Sequence, residues 1–358
     1  MILPVVALGL GLALAAGGCA TVTPPPASPY LIAVRYDVEP RFVGSEHPAA
    51  VSTIRRDFHA IAKLGFNGVV FRHVEDTDRL TMLDIARGTG LRASIPDRRF
   101  ERYVSTGLLP ASCADVPELV QTLPRTLTDH SALDALTVSA GNGADATSRA
   151  AILAVSLRIQ RLRCVLLGRN SPPADTEGLA MIDAAVLDAD REGSLLQRLL
   201  AQFHAGLSAG FTSGLVVDRF RPLPGSRSAM APPGEPFSPA QAAAIDALVT
   251  RARHWGPRLC GFAAQPVVSA AIEEAHVQIT ALIRDRRRYV LVSNAGDDVY
   301  ARGEVVLPEL IGGTPADRAV EVLPSTDRTA GRVVDAQRGS VTLPVSLRPG
   351  DAALFEIF

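Results

Sequence analysis

The stretch Leu64-Gly65-Phe66-Asn67-Gly68-Val69-Val70-Phe71-Arg72 decides the fold. It follows a segment, 49–64, whose apolar residues fall on one face of a helix. Gly65 suits the position just after a last helical turn. Gly68–Phe71 is a short apolar run of the kind that a strand buried on both faces requires. The stretch therefore predicts a helix followed by a strand of a parallel sheet.

The same alternation of helix and strand recurs over residues 30–265. We predict strands at Leu31–Val34, Gly68–Phe71, Leu91–Ile95, Ala135–Ser139, Cys164–Leu167, Leu179–Val186, Gly214–Val217 and Leu259–Ala263. Predicted helices cover 49–64, 79–87, 116–127, 146–162, 195–208 and 239–255. Eight such strands predict a (β/α)8 TIM barrel of the α/β class. The rival is an open doubly wound sheet, which usually carries a glycine-rich loop after strand one. Arg35-Tyr36-Asp37-Val38-Glu39-Pro40 is no such loop, so the barrel is favoured.

The pattern changes after the barrel, where short apolar runs alternate with turns and no helical period appears. These runs are Val277–Ile283, Tyr289–Ser293, Glu304–Leu307, Ala319–Leu323, Val341–Leu347 and Ala353–Phe358. Strict alternation in Val341–Leu347 is typical of a strand with one buried face. Residues 270–358 are therefore predicted to form an antiparallel β-sandwich.

The amino terminus reads as an export signal. Met1–Ala16 is almost wholly apolar, carries no charge and is too short for a comfortable membrane-spanning helix. Ala15-Ala16-Gly17-Gly18-Cys19 resembles the lipobox of bacterial lipoproteins, which implies a lipid on the Cys19 thiol, removal of the preceding signal, and a place in the cell envelope. Residues 20–29 form a proline-rich linker. A plain cleaved signal peptide and a permanent transmembrane anchor are the alternatives.

Composition and motifs exclude several classes of function. The net charge of −1 argues against a nucleic-acid partner. No HExxH, P-loop, GxSxG or paired CxxC motif occurs, and the seven histidines are scattered without metal spacing. We therefore predict neither a metal nor a cofactor. Arg284-Asp285-Arg286-Arg287-Arg288 joins two predicted strands and is expected to be a solvated turn, with contact to anionic headgroups as the alternative.

Two segments resemble glycoside hydrolases of the clan that includes β-galactosidases and cellulases. The first runs from Ile54 to Arg72 and on through Leu83–Leu91, and is similar to the first two βα units of that clan. The second comprises Tyr289–Asn294, Val306–Pro308 and Leu347–Phe355, and is similar to the β-sandwich that closes many glycosidase chains. The resemblance implies a barrel fold and a carbohydrate partner.

That clan has its acid/base Glu after strand four, usually as Asn-Glu, and its nucleophile Glu after strand seven. This sequence departs at both points. Strand four is followed by Asn142 without a neighbouring Glu, although Asp145 lies three residues on. Strand seven is followed by Asp218, a shorter carboxylate, beside Arg219. An amide cannot donate the proton that a leaving glycosidic oxygen needs, so catalysis depends on the aspartates.

Further polar residues follow the other strands, at the end of a barrel where active sites are built. Asp37 follows strand one, Arg72 and His73 follow strand two, and Asp97 follows strand three. The resemblance implies that Arg72 orients the sugar and the nucleophile. Structural ion pairs at the rim are the alternative for each residue. The catalytic candidates are Asp218, Asp37, Asp97 and Asp145, and the substrate-binding candidates are Arg72, His73, Asn142 and Arg219.

Two functional hypotheses follow. The first is an envelope lipoprotein of glycoside hydrolase type that hydrolyses O-glycosidic bonds of an oligosaccharide. The second is a catalytically inactive barrel that binds glycan or serves as a scaffold, which the missing Glu after strand four favours.

Overall fold

A computed structural model describes residues 30–37, 48–139, 144–168, 177–183, 192–218, 237–267, 276–296, 300–323, 331–337 and 340–358. Its amino-terminal part alternates strands with helices. The strands are β1 (Leu31–Asp37), β2 (Gly68–His73), β3 (Arg92–Pro96), β4 (Leu133–Ser139), β5 (Cys164–Gly168), β6 (Glu177–Ile182) and β7 (Gly214–Val217). The helices are α1 (Pro48–Lys63), α2 (Arg79–Gly88), α3 (Arg98–Thr106), α4 (Val116–Gln121), α5 (Arg125–Thr128), α6 (Ala144–Ile159), α7 (Glu192–Ser208) and α8 (Pro239–Leu259).

The strands β1 to β7 form a closed parallel barrel. The ring closes because β1 pairs directly with β7, with Leu31 opposite Gly214 and Val34 opposite Val217. The barrel prediction is therefore confirmed, but the prediction of eight strands is wrong, because the barrel has seven.

The segment predicted as strand eight, Leu259–Ala263, is not a barrel strand: its first four residues are the end of a helix and a turn, and Ala263 begins a strand of the following sheet. Helix α8 continues through Pro257 to Leu259, four residues beyond the predicted end. Gly261 then adopts a φ of +77°, a left-handed conformation that favours glycine and turns the chain. The next strand, β8 (Ala263–Pro266), pairs antiparallel with β9 (Val277–Arg284) and so belongs to the following sheet.

The barrel interior is filled by side chains of alternate strand residues. They form one hydrophobic cluster: Leu31, Ala33, Val70, Ala135, Val165, Leu167, Leu179 and Val216. The intervening residues, such as Ile32 and Val34, pack against the helices in the main core. Because side chains alternate along a strand, the inward positions continue toward the carboxyl ends of the strands as polar residues.

The carboxy-terminal part is built from antiparallel strand pairs. Six strands form one sheet in the order β15-β14-β17-β10-β9-β8, and β11 pairs with β16. The remaining bounds are β10 (Arg287–Asn294), β11 (Ala301–Val306), β12 (Leu310–Ile311), β13 (Thr314–Pro315), β14 (Arg318–Val322), β15 (Val333–Asp335), β16 (Thr342–Leu347) and β17 (Ala352–Ile357). The short β12 and β13 pair with each other.

The six-stranded sheet is buried on both faces. Tyr289 and Leu291 of β10 belong to the hydrophobic core of the barrel and its helices. Val290 and Val292 belong to a second cluster, which also contains Val305 of β11 and residues of β16. One face of the sheet therefore packs on the barrel, and the other shares a core with the β11–β16 pair.

The connection between β3 and β4 differs from the prediction of one helix over 116–127. Pro124, which lacks an amide hydrogen, lies between α4 and α5 and separates them. Helix α3 was not predicted, although Phe100, Tyr103 and Val104 share one buried face. Among the described residues, no helix has the length and apolarity to cross a bilayer.

Candidate functional site

The carboxyl ends of the barrel strands define one end of the barrel, here called the mouth, and an ion pair lies there. Asp218 directly follows β7, and its carboxylate Oδ1 lies 3.2 Å from Nη1 of Arg35 in β1. Both side chains are less than a fifth exposed. Because side chains alternate along a strand, Asp218 faces the same side as Val216, and Arg35 the same side as Ala33, both of which point into the barrel. The pair therefore projects toward the barrel axis.

A second ion pair lies beside the first, on β1 and β2. Nη1 of Arg72 lies 3.5 Å from Oδ2 of Asp37, and both side chains are about half exposed. His73, the last residue of β2, is the backbone partner of Asp37 in the sheet register. The structure thus places Asp37 and Arg72 together, as the sequence predicts for strand ends, and in a position open to solvent.

The two ion pairs form a row across three adjacent strands. Along β7, β1 and β2 the order of charged residues is Asp218, Arg35, Asp37 and Arg72, so that negative and positive groups alternate. We call these four residues the mouth array. Because Val34 is the register partner of Val217, strand geometry separates the Cα atoms of Asp37 and Asp218 by about 8 Å.

Two buried polar atoms near the mouth lack a partner among the described residues. Nε of Arg35 and the hydroxyl of Ser94 in β3 are both buried without a hydrogen bond there. Ser94 is fully buried and lies in the inward phase of β3, between Ala93 and Ile95 of the outer core. A buried donor without a partner costs free energy, and a ligand that supplies an acceptor recovers it.

Packing behind β1 holds the array in place. The outward-facing Tyr36 donates its hydroxyl to Oδ2 of Asp57 in α1 at 2.8 Å. Its ring packs edge-on against Phe58 and Phe71, with centroids 5.2 and 6.5 Å away. These contacts fix the residue between Arg35 and Asp37, so the two inward side chains start from a rigid strand.

Asp97, a predicted catalytic candidate, has a structural environment. Its side chain is only 1% exposed, and its oxygens accept from Arg79 at 3.0 Å and Arg99 at 2.8 Å. Oδ1 also accepts from the backbone amide of Arg99, which makes Asp97 the N-cap of α3. Burial works against ionisation, but the contacts with Arg99 and Arg79 outweigh it and lower the pKa of Asp97. A carboxyl held in this way is a poor proton donor near neutral pH.

The other predicted residues divide into two groups. Asp145 is described: it is exposed and lies in the first turn of α6, where a negative charge favours the helix. Asn142, Arg219 and Cys19 lie outside the described residues, as does the side chain of His73. Of the predicted candidates, the structure therefore brings together Asp37, Arg72 and Asp218.

Sequence reasoning missed Arg35 as a site residue because it lies within an apolar strand. The signal was its phase: in Leu31–Asp37, residues 31, 33, 35 and 37 share one face, and the last two are charged. Charge on the inward face of a barrel strand is expected only near the mouth, where it can reach water or a ligand.

A small cavity opens at the side of the barrel rather than at the mouth. It has a volume of about 280 Å³ and lies between β6 and α7, lined by Met181, Asp183, Gln202 and Phe211 among others. The amide of Asp183 donates to Oε1 of Gln202. As for metals, the part of the chain that the structure describes contains no group of three or more His, Cys, Asp or Glu side chains that could hold an ion.

Comparison with known proteins links the chain to others by fold. No family model and no curated protein sequence matches it. Among solved structures, it is similar to a noncanonic maltogenic alpha-amylase, AmyB from Thermotoga neapolitana, with a TM-score of 0.50, 10% identity and coverage of 92% of this chain and 99% of the other. It is similar to AmyP in complex with maltose, with a TM-score of 0.50, 12% identity and coverage of 92% and 96%. An alpha-fucosidase from Thermotoga maritima gives a TM-score of 0.45, 12% identity and coverage of 85% and 79%. At these identities the similarity to AmyB and AmyP shows the fold alone: a closed parallel barrel followed by a carboxy-terminal sheet.

Proposed function

We propose that the chain binds an oligosaccharide at the mouth of its barrel. The observation that carries this proposal is the mouth array, in which carboxylates and guanidiniums alternate across three adjacent strands. A sugar hydroxyl is both a donor and an acceptor. It can therefore donate to Asp218 or Asp37 while it accepts from Arg35 or Arg72. The unpartnered Nε of Arg35 offers a further donor to such a ligand.

The fold supports the same conclusion from another direction. Barrel enzymes build their sites at the carboxyl ends of the strands, which is where the mouth array lies. The structure of AmyP, a fold neighbour, is that of a complex with maltose. Maltose and longer α-glucans are therefore the first ligands to test, followed by other neutral oligosaccharides.

The test is a binding screen followed by one variant and one control. Immobilised oligosaccharides, maltose among them, are screened with wild-type protein, and the affinity of any ligand is then measured for Asp218→Asn and Asp246→Asn. Asp246 is an exposed aspartate of α8 and controls for the loss of one charge. Loss of a charged hydrogen bond predicts about 10- to 100-fold weaker binding for Asp218→Asn, and no change for Asp246→Asn. An absence of binding across the panel, or equal losses in both variants, would contradict the proposal.

Hydrolysis of the bound saccharide is the second candidate. It is favoured by the position of Asp218 directly after β7, and by strand geometry that brings the Cα atoms of Asp37 and Asp218 to about 8 Å, close enough for their side chains to act on one ligand. The distance that decides the mechanism is the one between the two carboxyl groups. Paired carboxyl groups at about 5–5.5 Å or 6.5–9.5 Å support retaining or inverting hydrolysis. Against it, each carboxylate is already paired with an arginine, Asp218 with Arg35 at 3.2 Å and Asp37 with Arg72 at 3.5 Å, so neither oxygen is presented alone to a glycosidic bond.

Aryl glycosides separate the two candidates. If the chain is a hydrolase, Asp218→Asn and Asp37→Asn lose turnover, whereas Asp246→Asn retains it. Asp145→Asn shows whether the exposed aspartate of α6 supplies the proton. If the wild type binds saccharides but does not hydrolyse them, hydrolysis is excluded and only the binding function remains.

Two further parts of the prediction complete the proposal. We propose that the chain is an exported lipoprotein of the cell envelope, anchored through Cys19 and spaced from the membrane by residues 20–29. Cys19→Ser is then expected to lose membrane retention in cell fractionation, and unchanged retention would contradict lipidation there. We also propose that the six-stranded sheet and the β11–β16 pair form a β-sandwich, which the hydrophobic cluster common to both supports.

A further inference from the structure

A second charged feature lies at the base of the barrel, the end opposite the mouth. A cavity of about 600 Å³ separates the end of α8 from the hairpin that joins β9 and β10. Four arginines line it, Arg258, Arg284, Arg286 and Arg287, together with Asp285. All five residues are exposed. The cavity therefore carries a formal surplus of positive charge on a chain whose net charge is −1.

The hairpin holds two of these charges against each other. Arg284 and Arg287 are direct partners in the antiparallel register, separated by a two-residue turn. Asp285, at the first turn position, has a φ of +54°, as tight hairpin turns require. Like charges directly opposite on paired strands are destabilising. An anion bound between them offsets this repulsion.

Among the residues that the structure describes, no carboxylate forms a salt bridge with these guanidiniums. Nη1 of Arg284 donates to the carbonyl of Cys260 at 2.8 Å, and Nη1 of Arg258 donates to the carbonyl of His254 at 2.7 Å. Arg286 and Arg287 form no salt bridge with any residue that the structure describes. Guanidinium donors therefore remain available in a cavity large enough for a small anionic group.

The chain enters the fold next to this cavity. Tyr30, the first described residue, packs against Gly256, where an added Cβ would lie 2.3 Å from the Tyr30 ring. Gly256 directly precedes Pro257, a wall of the cavity. Even fully extended, the segment from Cys19 to Tyr30 reaches at most about 40 Å. A lipid on Cys19 would therefore keep the base of the barrel near the bilayer.

We propose that this cavity binds the phosphate headgroup of an anionic phospholipid, so that the base of the barrel faces the membrane and the mouth faces away from it. The planar, fork-shaped guanidinium matches the geometry of phosphate oxygens. Basic residues close to an anionic membrane surface are attracted strongly to that surface. The orientation rests on the proposed lipid anchor, whereas headgroup binding is independent of it and of saccharide binding.

Vesicle binding by a chain without its signal and lipid tests the proposal. Cleavage before Cys19 would leave Cys19–Phe358 as the mature chain, so a chain from Thr21 to Phe358 differs from it only by Cys19 with its lipid and Ala20. Its binding is measured at low salt to phosphatidylcholine vesicles with and without phosphatidylglycerol. We expect binding only to the anionic vesicles, and a loss of about 10-fold or more for Arg286→Gln/Arg287→Gln.

A matched control makes the result specific to the cavity. Arg55 and Arg56 of α1 are also adjacent, exposed and without a salt bridge to the described residues, so Arg55→Gln/Arg56→Gln removes the same charge elsewhere. Equal losses in the two double variants, or equal binding to neutral and anionic vesicles, would overturn the proposal. The proposal would also be overturned if the protein bound inorganic phosphate but did not bind anionic vesicles. Saccharide affinity, measured on the same preparations, is expected to be unchanged, which separates this proposal from the proposed function.

Discussion

The two ends of the barrel use the same residue types differently. At the base, Arg92, Asp134, Arg163 and Glu177 form a continuous network across β3, β4, β5 and β6. Asp134 is only 6% exposed and accepts from both Arg92 and Arg163 at 2.9 Å. Burial works against charge on Arg163, but Asp134 and Glu177 outweigh it and raise its pKa. The base network is therefore closed, with each charge facing an opposite one.

The mouth is open by comparison. Arg35 has one carboxylate partner and leaves Nε without a hydrogen bond among the described residues, and the hydroxyl of Ser94 is in the same situation. Asp37 and Arg72 are half exposed. A closed network contributes to stability, whereas an open one retains donors and acceptors for a ligand. The base network therefore holds the strands together, whereas the mouth array keeps hydrogen-bonding groups that a ligand can use.

The largest expected effect is on the base network. Asp134→Asn leaves two partly buried arginines without their shared carboxylate and is expected to lower the free energy of unfolding by about 3 kcal/mol. Chemical denaturation followed by circular dichroism measures the loss. The control is Asp335→Asn, because Asp335 pairs with Arg318 in the open, with side chains 71% and 54% exposed. Its effect is expected to stay below about 0.5 kcal/mol. Similar small losses in both variants would remove the structural role of the base network.

A second effect concerns the junction of the barrel and the carboxy-terminal sheet. His204 of α7 is buried there, with Nδ1 3.2 Å from the carbonyl of Gly350 and Nε2 3.4 Å from Arg251, which pairs with Asp351. Burial, followed by the charge of Arg251, lowers the pKa of His204 to about 3, although Asp351 and the Gly350 carbonyl act in the opposite direction.

This pKa predicts a dependence of stability on pH. The unfolded chain binds a proton at His204 near pH 6.5, whereas the folded chain does not, so its contribution is complete above pH 6.5 and falls as the pH decreases toward 3. At pH 5 the loss amounts to about 2 kcal/mol. Unfolding of the wild type and of His204→Gln is compared at pH 7.5 and pH 5. We expect the wild type to lose more stability; identical pH dependence in the two would show that His204 is not the group responsible.

How far the sequence predicts the fold depends on how local each signal is. Seven barrel strands follow from apolar runs, because a strand buried on both faces needs no alternation. The number of strands in the ring is decided by the pairing of β1 with β7, which no local pattern specifies. Helix α8 also extends four residues past its predicted end and includes Pro257, although proline usually breaks a helix.

The site was predictable to a similar extent. Asp37, Arg72 and Asp218 follow strands and meet at the mouth, as strand ends of a barrel must. The sequence does not show which polar residue pairs with which, so Asp97 was grouped with them although it caps α3. Gly107, which ends that helix with a φ of +77°, and the spacing of Phe100, Tyr103 and Val104 were the available signals. Arg35 could have been identified from the alternation of side chains along β1, because residues 31, 33 and 35 face the same side of the strand.

A third prediction contrasts the mouth with the base. Arg35→Gln removes the partner of Asp218, which is mostly buried but more exposed than Asp134 (18% against 6%), so the free energy of unfolding is expected to fall by about 2 kcal/mol, less than for Asp134→Asn. Saccharide affinity is expected to fall by at least about 10-fold, since the variant loses charged donors. Denaturation and ligand titration of the same protein measure both. A loss of stability as large as that of Asp134→Asn would show that the mouth, too, is structural.

The smallest expected effect on stability is at the half-exposed pair. Arg72→Gln is expected to change the free energy of unfolding by less than about 0.5 kcal/mol, because an exposed ion pair contributes little. The matched variant Arg318→Gln removes another exposed pairing arginine and is expected to behave alike in denaturation. The two differ in ligand titration, where only Arg72→Gln weakens saccharide binding. Unchanged binding by Arg72→Gln would restrict the site to Arg35 and Asp218.

The most direct measurement is a crystal structure with the oligosaccharide that the binding screen selects. We predict that a sugar ring lies at the mouth, with hydroxyls that accept from Arg35, including its Nε, and donate to Asp218. A saccharide bound instead in the side cavity between β6 and α7, or at the base of the barrel, would contradict the assignment of the mouth as the functional site.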